Sequence, residues 1–282
     1  MREFSRSFHY GGLSIKNELR QVHLYVVLLV VFFIIRYCFG GLADFLAENG
    51  DRMNIFELYV HFMDTRYSQV FYLLGIIAFS CGTFFYSHGA AYYLIRGSRR
   101  GWVLGQAVYL LVMVTGYNLF ILSTLCLFTG GRLTLVNEWS MASFLAEQYS
   151  ASSIGIMPVI SVSYSTMLMS PVTAGLLTFL LSVLVGMAAG LVVICSSIRA
   201  KGVFGVAVLG ITWFADFLIE DSAVFARIWM LSPFGVSRLG RLLSMGRNTE
   251  VLYGVIYFCI LIAAEFYVLL KAAEKIDFVK LE

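Results

Sequence analysis

Four ionisable residues lie inside apolar stretches of the sequence, where a charge is costly and therefore marks a candidate functional position. They are Arg36, His88, Asp216 and Glu265. Counted along helices at about 1.5 Å per residue, Arg36 and Asp216 fall at similar depths, and so do His88 and Glu265. Three interpretations stay open for these residues: a contact with a translocated substrate, a polar contact between helices, and a side chain that snorkels to the membrane interface.

Basic residues are concentrated in the segment LIRGSRRGWVLGQ, residues 94–106. Arg96, Arg99 and Arg100 fall within five positions there, between two of the most apolar runs in the chain. Positive charge next to apolar segments is typical of the cytosolic side of a membrane protein. The segment is therefore predicted to form a tight cytosolic turn.

These residues belong to a chain of 282 residues that is 60% hydrophobic and 13% charged, with a mean hydropathy of +0.83. Such a composition is typical of polytopic membrane proteins. We predict an all-α protein with about six transmembrane helices, because a span needs about 20 mostly apolar residues. The predicted spans are residues 23–43, 70–95, 102–129, 171–198, 203–219 and 251–271.

The distribution of Lys and Arg predicts which ends of the spans face the cytosol. The head, the connections after spans two and four, and the tail are basic, whereas residues 44–68 contain five acidic residues. Both termini are therefore predicted to be cytosolic in a multi-pass protein of the cytoplasmic or inner membrane, surrounded by lipids. Residues 1–22 are expected to form an amphipathic helix along the inner headgroups.

Three external segments are predicted to be structured. Residues 54–66 have the spacing of an interfacial amphipathic helix, and residues 130–170 form a longer outer segment. Residues 223–243 are apolar but contain three Arg, and we expect a re-entrant outer hairpin of two short half-helices packed on protein. The alternative is a hairpin lying on the outer headgroups. The turn of the hairpin is predicted at Ser232, Pro233, Phe234 and Gly235.

The sequence lacks the motifs of several catalytic and binding classes. It contains no G-x-x-x-x-G-K-[ST] phosphate loop and no H-E-x-x-H metalloprotease motif. Its four His are scattered along the chain, and its net charge of +3 is small and dispersed. We therefore expect no enzymatic activity, no metal site, no cofactor bound by this chain and no nucleic-acid partner.

The order of these features resembles that of the ABC-2 type permeases, the transmembrane subunits of ATP-binding-cassette exporters. The passage SHGAAYYLIRGSRRGWVLGQAVYLL, residues 87–111, looks like the family's stretch from span two to span three. LSPFGVSRL, residues 231–239, looks like its hairpin before span six. The resemblance implies one permease domain over residues 1–282. That domain would form a substrate path together with a second copy or a related permease.

The same resemblance implies that residues 94–106 form a coupling helix that binds a separate ATPase subunit, where ATP and Mg would be held. The residues assigned to that contact are Arg96, Gly97, Ser98, Arg99, Arg100 and Trp102. Spans one and five of the family approach each other across a dimer axis, so Arg36 and Asp216 are expected to meet either within one chain or between two. Two other classes stay open: an ion-coupled secondary transporter, and a non-transporting membrane partner such as an immunity protein.

Overall fold

Helices make up nearly all of the structure, as expected for long apolar segments whose backbone must satisfy its own hydrogen bonds. We analysed a computed structural model, which describes residues 2–85, 99–148, 164–199, 203–220, 228–244 and 250–274. In chain order the elements of these ranges are α1 (Arg2–Glu18), α2 (Val22–Phe39), α3 (Leu42–Glu48), β1 (Met53–Asn54), α4 (Glu57–Asp64), α5 (Arg66–Phe85), α6 (Arg99–Leu127), β2 (Leu133–Thr134), α7 (Met141–Gln148), α8 (Tyr164–Met167), α9 (Pro171–Arg199), α10 (Val203–Glu220), a 3-10 helix (Ile228–Leu231), α11 (Pro233–Ser237), α12 (Leu239–Leu243) and α13 (Glu250–Glu274).

A long helix occupies each predicted span. The bounds of α6, α9, α10 and α13 lie within a few residues of the predicted ones, and the end of the second predicted span lies outside the described residues. Four helical stretches within the described ranges are long and apolar enough to cross a membrane. They are Val22–Glu48, Arg100–Leu127, Pro171–Ile198 and Glu250–Glu274, whereas the apolar helices Tyr67–Cys81 and Val203–Ile219 are shorter. This pattern fits a polytopic membrane protein.

The connections after α2, α6 and α10 gather at one end of the bundle, which we call the cap end (residues 48–65, 128–148, 164–170 and 228–244). β1 pairs in parallel with β2, so that Met53 lies opposite Leu133. The connection between α10 and α13 reaches the same end, because the backbone N–H of Gly240 donates to Oδ1 of Asp64 at 2.9 Å.

The opposite end, which we call the basal end, consists of α1, the first turns of α6 and α10, and the last turns of α9 and α13. Arg100 near the start of α6 lies 4.0 Å from the carboxylate of Glu274 at the end of α13. Helix α1 packs tightly against α6, since a Cβ atom on Gly11 would lie 3.0 Å from the carbonyl oxygen of Gly105. The N-terminal helix and the end of α13 therefore lie at the same end of the molecule.

A buried polar network joins α4, α5, α6 and α9. The hydroxyl of Tyr59 donates to Oδ1 of Asn118 at 2.6 Å, and Nδ2 of Asn118 donates to the hydroxyl of Tyr72 at 3.0 Å. The Tyr72 hydroxyl donates in turn to the carbonyl oxygen of Ser182 at 2.7 Å. Because these partners are all buried and hydrogen-bonded, the network fixes how the four helices pack.

The segment predicted to be an interfacial helix, residues 54–66, is instead buried in the protein. Its helix, α4, has no exposed residue between Glu57 and Asp64. The spacing of its apolar residues predicted a helix correctly, but the prediction of a surface position was wrong. The reason is that its polar side chains hydrogen-bond to other parts of the cap end rather than to water.

Candidate functional site

The candidate site is the hairpin between α10 and α13, which begins with the 3-10 helix and ends with α12. Ser232 has an extended conformation and caps α11, its Oγ accepting from the N–H of Gly235, and Pro233 occupies the first turn. Arg238 is extended as well and separates α11 from α12. The predicted turn at residues 232–235 is thus the cap and first turn of a short helix. In the described part of the hairpin, the two expected half-helices are replaced by three short helices.

The apolar side chains of α11 and α12 are largely buried in protein, whereas Leu231 of the 3-10 helix is 71% exposed. Phe234, Val236, Leu239 and Leu242 are at most 3% exposed, and α11 and α12 contact α9 and α13. A hairpin resting on headgroups would leave one apolar face without protein contacts. The two short helices are instead an integral part of the cap end.

An ion pair attaches the hairpin to α10. One guanidinium nitrogen of Arg241 donates to the two carboxylate oxygens of Asp216 at 3.1 and 3.3 Å, and both side chains are largely buried. The Arg241 guanidinium also lies 5.0 Å from the centre of the Trp229 ring, which is a favourable cation–π distance. A displacement of α10 therefore acts directly on the hairpin.

A second carboxylate attaches the hairpin to α4 and α5. Asp64 accepts from the N–H of Gly240, and its backbone carbonyl accepts from Nε of Arg238 at 2.7 Å. The side-chain amide of Gln69, in α5, donates to the carbonyl of Phe234 at 3.0 Å. The hairpin is thus held on two sides by charged or amide groups, and sequence reasoning found neither attachment.

The predicted pairing of Arg36 with Asp216 within one chain is wrong, because Asp216 binds Arg241 while Arg36 is exposed on α2. Counting residues along a helix predicts the depth of a side chain, but it does not specify which side of the helix that side chain occupies. A contact between Arg36 and Asp216 of two subunits stays a prediction.

The other predicted intramembrane pair is described only in part. Glu265 is half-buried on α13, and its Oε2 has no hydrogen-bond partner among the described residues. His88 lies outside those residues, so its pairing with Glu265 stays a prediction.

The described part of the predicted coupling segment, residues 99–106, lies at the basal end. Arg96, Gly97 and Ser98 fall outside the described residues, and α6 begins at Arg99. Arg100 is well exposed, as a contact with another protein requires. Trp102 is only 6% exposed, and its assignment to the contact with an ATPase subunit stays a prediction. It occupies the inward side of the first turn of α6.

Sequence reasoning also missed a buried polar cluster in the cap end. One oxygen of Glu57 accepts hydrogen bonds from the N–H and hydroxyl of Ser140 and from the hydroxyl of Ser143. The other oxygen accepts from the N–H of Asn54 at 3.0 Å. The Ser143 hydroxyl also lies 2.6 Å from Nε2 of His61. No spacing rule connects these residues, because Glu57 and Ser140 are 83 positions apart.

The cluster contains the residue types of a hydrolase but not the geometry of one. Burial raises the pKa of the Glu57 carboxyl and lowers that of the His61 imidazole to about 3. In a catalytic triad the carboxylate orients the imidazole, whereas here Glu57 and His61 both bond to the Ser143 hydroxyl. The group is also fully enclosed. We assign it a structural role, which is to hold α4 against the start of α7.

Comparison with known proteins does not identify a family for the chain. No protein-family model, no curated protein and no solved structure matches it.

Proposed function

We propose that the protein is the permease subunit of an ABC-2 type exporter. The observation that carries the proposal is the hairpin of short helices, packed at the cap end between the apolar helices α10 and α13. A hairpin in this position is what the resemblance of residues 231–239 implies. The packing of α1 on the start of α6, which contains residues 99–106 of the basic segment, is a second supporting feature.

The proposal includes six transmembrane spans. Helices α5 and α10 are the shorter ones, but each runs between the two ends of the bundle. In α10, Gly205 packs against Ser196 at the basal end and Asp216 binds Arg241 at the cap end. Gln69 lies at the cap end of α5. With the basic basal end in the cytosol, both termini are cytosolic and the hairpin enters the outer leaflet, where protein packing protects its backbone.

The energy source in this proposal is a separate ATPase subunit that binds ATP and Mg. Residues 94–106 contact it, with Arg96, Arg99 and Arg100 facing acidic groups of the ATPase beside Gly97 and Ser98. A second copy of the chain or a related permease completes the substrate path, and lipids surround both. The chain itself performs no chemical reaction.

The contacts provide a continuous route from the coupling segment to the hairpin. Helix α6 leads from the basal end to Asn118, which binds Tyr59 of α4 at 2.6 Å. Asp64, at the end of α4, binds the hairpin through Gly240. A tilt of α6 imposed by the ATPase would therefore reach the cap end through packed, hydrogen-bonded elements, which is the physical requirement for coupling at a distance.

The proposal is tested by purifying the tagged protein from its native host in mild detergent and identifying the bound proteins by mass spectrometry. We expect an ATPase with Walker motifs to remain bound. A triple change of Arg96, Arg99 and Arg100 to Glu is expected to abolish this binding. The matched control is Arg52→Glu, which reverses an exposed charge at the cap end and should leave binding intact.

Because charge reversal also alters membrane topology, the triple variant is first checked for correct insertion by labelling at both ends. Absence of an ATPase under conditions that preserve other membrane complexes would overturn the proposal. The ion-coupled transporter and the toxin-binding partner would then be the remaining classes.

A further inference from the structure

A cavity of about 380 Å³ lies near the basal end, between α9, α10 and α13. Helices α10 and α13 both pack on α9, but they make few contacts with each other, so α9 forms the floor of the cavity and the other two helices form its walls. The side chains that line it are Val192, Cys195, Ser196, Phe204, Ala264, Glu265 and Val268.

The cavity is open at the outer surface of the bundle rather than toward its core. Phe204, at the start of α10, is 68% exposed, and Ala264 on the opposite wall is exposed as well. Both residues belong to apolar helices whose exposed side faces lipid in a membrane protein. A molecule dissolved in the membrane can therefore reach the cavity sideways.

Among the described residues that line the cavity, Glu265 is the only one with a carboxyl or basic side chain. Its Oε2 is inaccessible to solvent and has no hydrogen-bond partner among the described residues. The two other polar side chains of the lining are already bonded: Ser196 donates to the carbonyl of Val193 at 2.8 Å, and Cys195 donates to the backbone carbonyl of Glu265 at 3.6 Å. The carboxyl group is therefore the part of the cavity that lacks a partner.

We propose that this cavity binds a hydrophobic amine, with the ammonium group against the carboxylate of Glu265 and the hydrocarbon against the apolar walls. A carboxylate in an apolar, membrane-facing site is costly unless a cation compensates it. An ammonium group supplies both the opposite charge and N–H donors, and such charge-assisted hydrogen bonds are the strong ones. A mainly apolar lining with one oriented polar group is typical of small-molecule sites, whose volumes start at about 300 Å³.

The inference goes beyond the proposed function, because it concerns binding to this chain alone. It requires neither an ATPase nor a second permease. If the chain is an exporter subunit, the basal position of the cavity gives amines of the inner leaflet access to it.

Equilibrium binding of radiolabelled dodecylamine to the protein in phosphatidylcholine nanodiscs tests the proposal, without nucleotide or partner proteins. Empty nanodiscs measure how much of the amine dissolves in the lipid alone. Dodecanol is the control ligand, because it has the same chain length but no charge. We expect saturable binding of the amine above the empty-disc level and none of the alcohol. Glu265→Gln should weaken the binding roughly tenfold or more, as the loss of one charged hydrogen bond predicts.

Two further variants separate recognition from misfolding. Ala264→Phe fills the cavity from its exposed wall and should also abolish saturable binding. Glu274→Gln removes the same charge from the basal end of the same helix, where the side chain is exposed, and should leave binding unchanged.

Absence of saturable binding by the natural protein, equal binding of amine and alcohol, or an unchanged affinity in both Glu265→Gln and Ala264→Phe would each overturn the inference. Its failure is distinguishable from failure of the exporter proposal, because no readout of this experiment depends on an ATPase.

Discussion

Asp216 and Arg241 are the residues whose pairing matters most for the hairpin, since both are largely buried and lie on different elements. Breaking a buried ion pair by removing one partner typically costs about 3–5 kcal/mol. We therefore expect Arg241→Met to lower the free energy of unfolding by about that amount. We also expect a double variant with Asp216→Asn to be less destabilised than the sum of the two single changes.

The measurement is reversible unfolding by a denaturing detergent, followed by circular dichroism for the natural chain, both single variants and the double variant. Arg36→Met is the control, because Arg36 is an exposed Arg at a similar depth and should change stability little. Additive effects of Asp216→Asn and Arg241→Met would mean that the two side chains do not stabilise each other, and that the hairpin is held by its apolar contacts and by its bonds to Asp64 and Gln69.

The same two residues illustrate what sequence reasoning can and cannot predict about a site. An Asp in an apolar helix is conspicuous, and its height in the membrane follows from counting residues. Its partner is not recognisable from the sequence, because Arg241 lies 25 positions away in a predicted hairpin whose packing the sequence does not specify. Whether Asp216 faces Arg36 or Arg241 depends on the rotation of α10 and the fold of the hairpin, and neither is a local property of the sequence.

At the scale of elements, the long helices could be predicted from the sequence. The length of an apolar segment can be counted directly, and the thickness of the membrane sets the length that a span needs. The contacts between elements could not be predicted in this way, as α4 illustrates. Its spacing predicts a helix with one polar side, but the polar side meets Ser140 and Ser143 of a distant segment instead of water. The sequence also does not show how much of α1 packs against protein, because an amphipathic helix can cover a membrane surface or another helix.

The packing of α1 on α6 depends on Gly11, and the neighbouring Gly12 provides a control position. A Cβ atom on Gly11 would lie 3.0 Å from the Gly105 carbonyl oxygen and 3.1 Å from Cγ1 of Val108, whereas nothing lies within 4 Å of a Cβ atom on Gly12. We expect Gly11→Leu to separate the two helices at a cost of about 1–3 kcal/mol, the usual penalty for overpacking. Gly12→Leu should leave the contact intact and favour the helix slightly.

Hydrogen exchange of the α1 amides measures this effect directly, because exchange reports local opening of one element. Gly11→Leu should accelerate exchange over α1 while the amides of α9 stay protected. Equal protection of α1 in the two variants would contradict the close packing of α1 and α6.

At the scale of the whole molecule, the grouping of connections at two ends has a consequence for topology. The pairing of Met53 with Leu133 brings the connections after α2 and α6 to the same end, and Asp64 brings the connection after α10 there too. If only the four longest stretches crossed the membrane, the connection after α6 would face the opposite side from the one after α2. If α5 and α10 cross as well, all three connections face the same side.

This difference is measurable with single cysteines in a variant that lacks the five natural ones, labelled on intact cells with a membrane-impermeant maleimide. Glu48→Cys, Glu138→Cys and Ser244→Cys occupy exposed positions of the cap end, and Asn17→Cys is exposed at the basal end. We expect all three cap-end positions to be labelled from outside, and Asn17→Cys only after permeabilisation.

The control is Cys259 alone, which is exposed on α13 and should resist labelling from either side, because lipid covers that helix. Labelling of residue 138 only after permeabilisation, with residue 48 labelled from outside, would favour four spans. That result would contradict the pairing of Met53 with Leu133, since one end of the bundle cannot face both sides of a membrane.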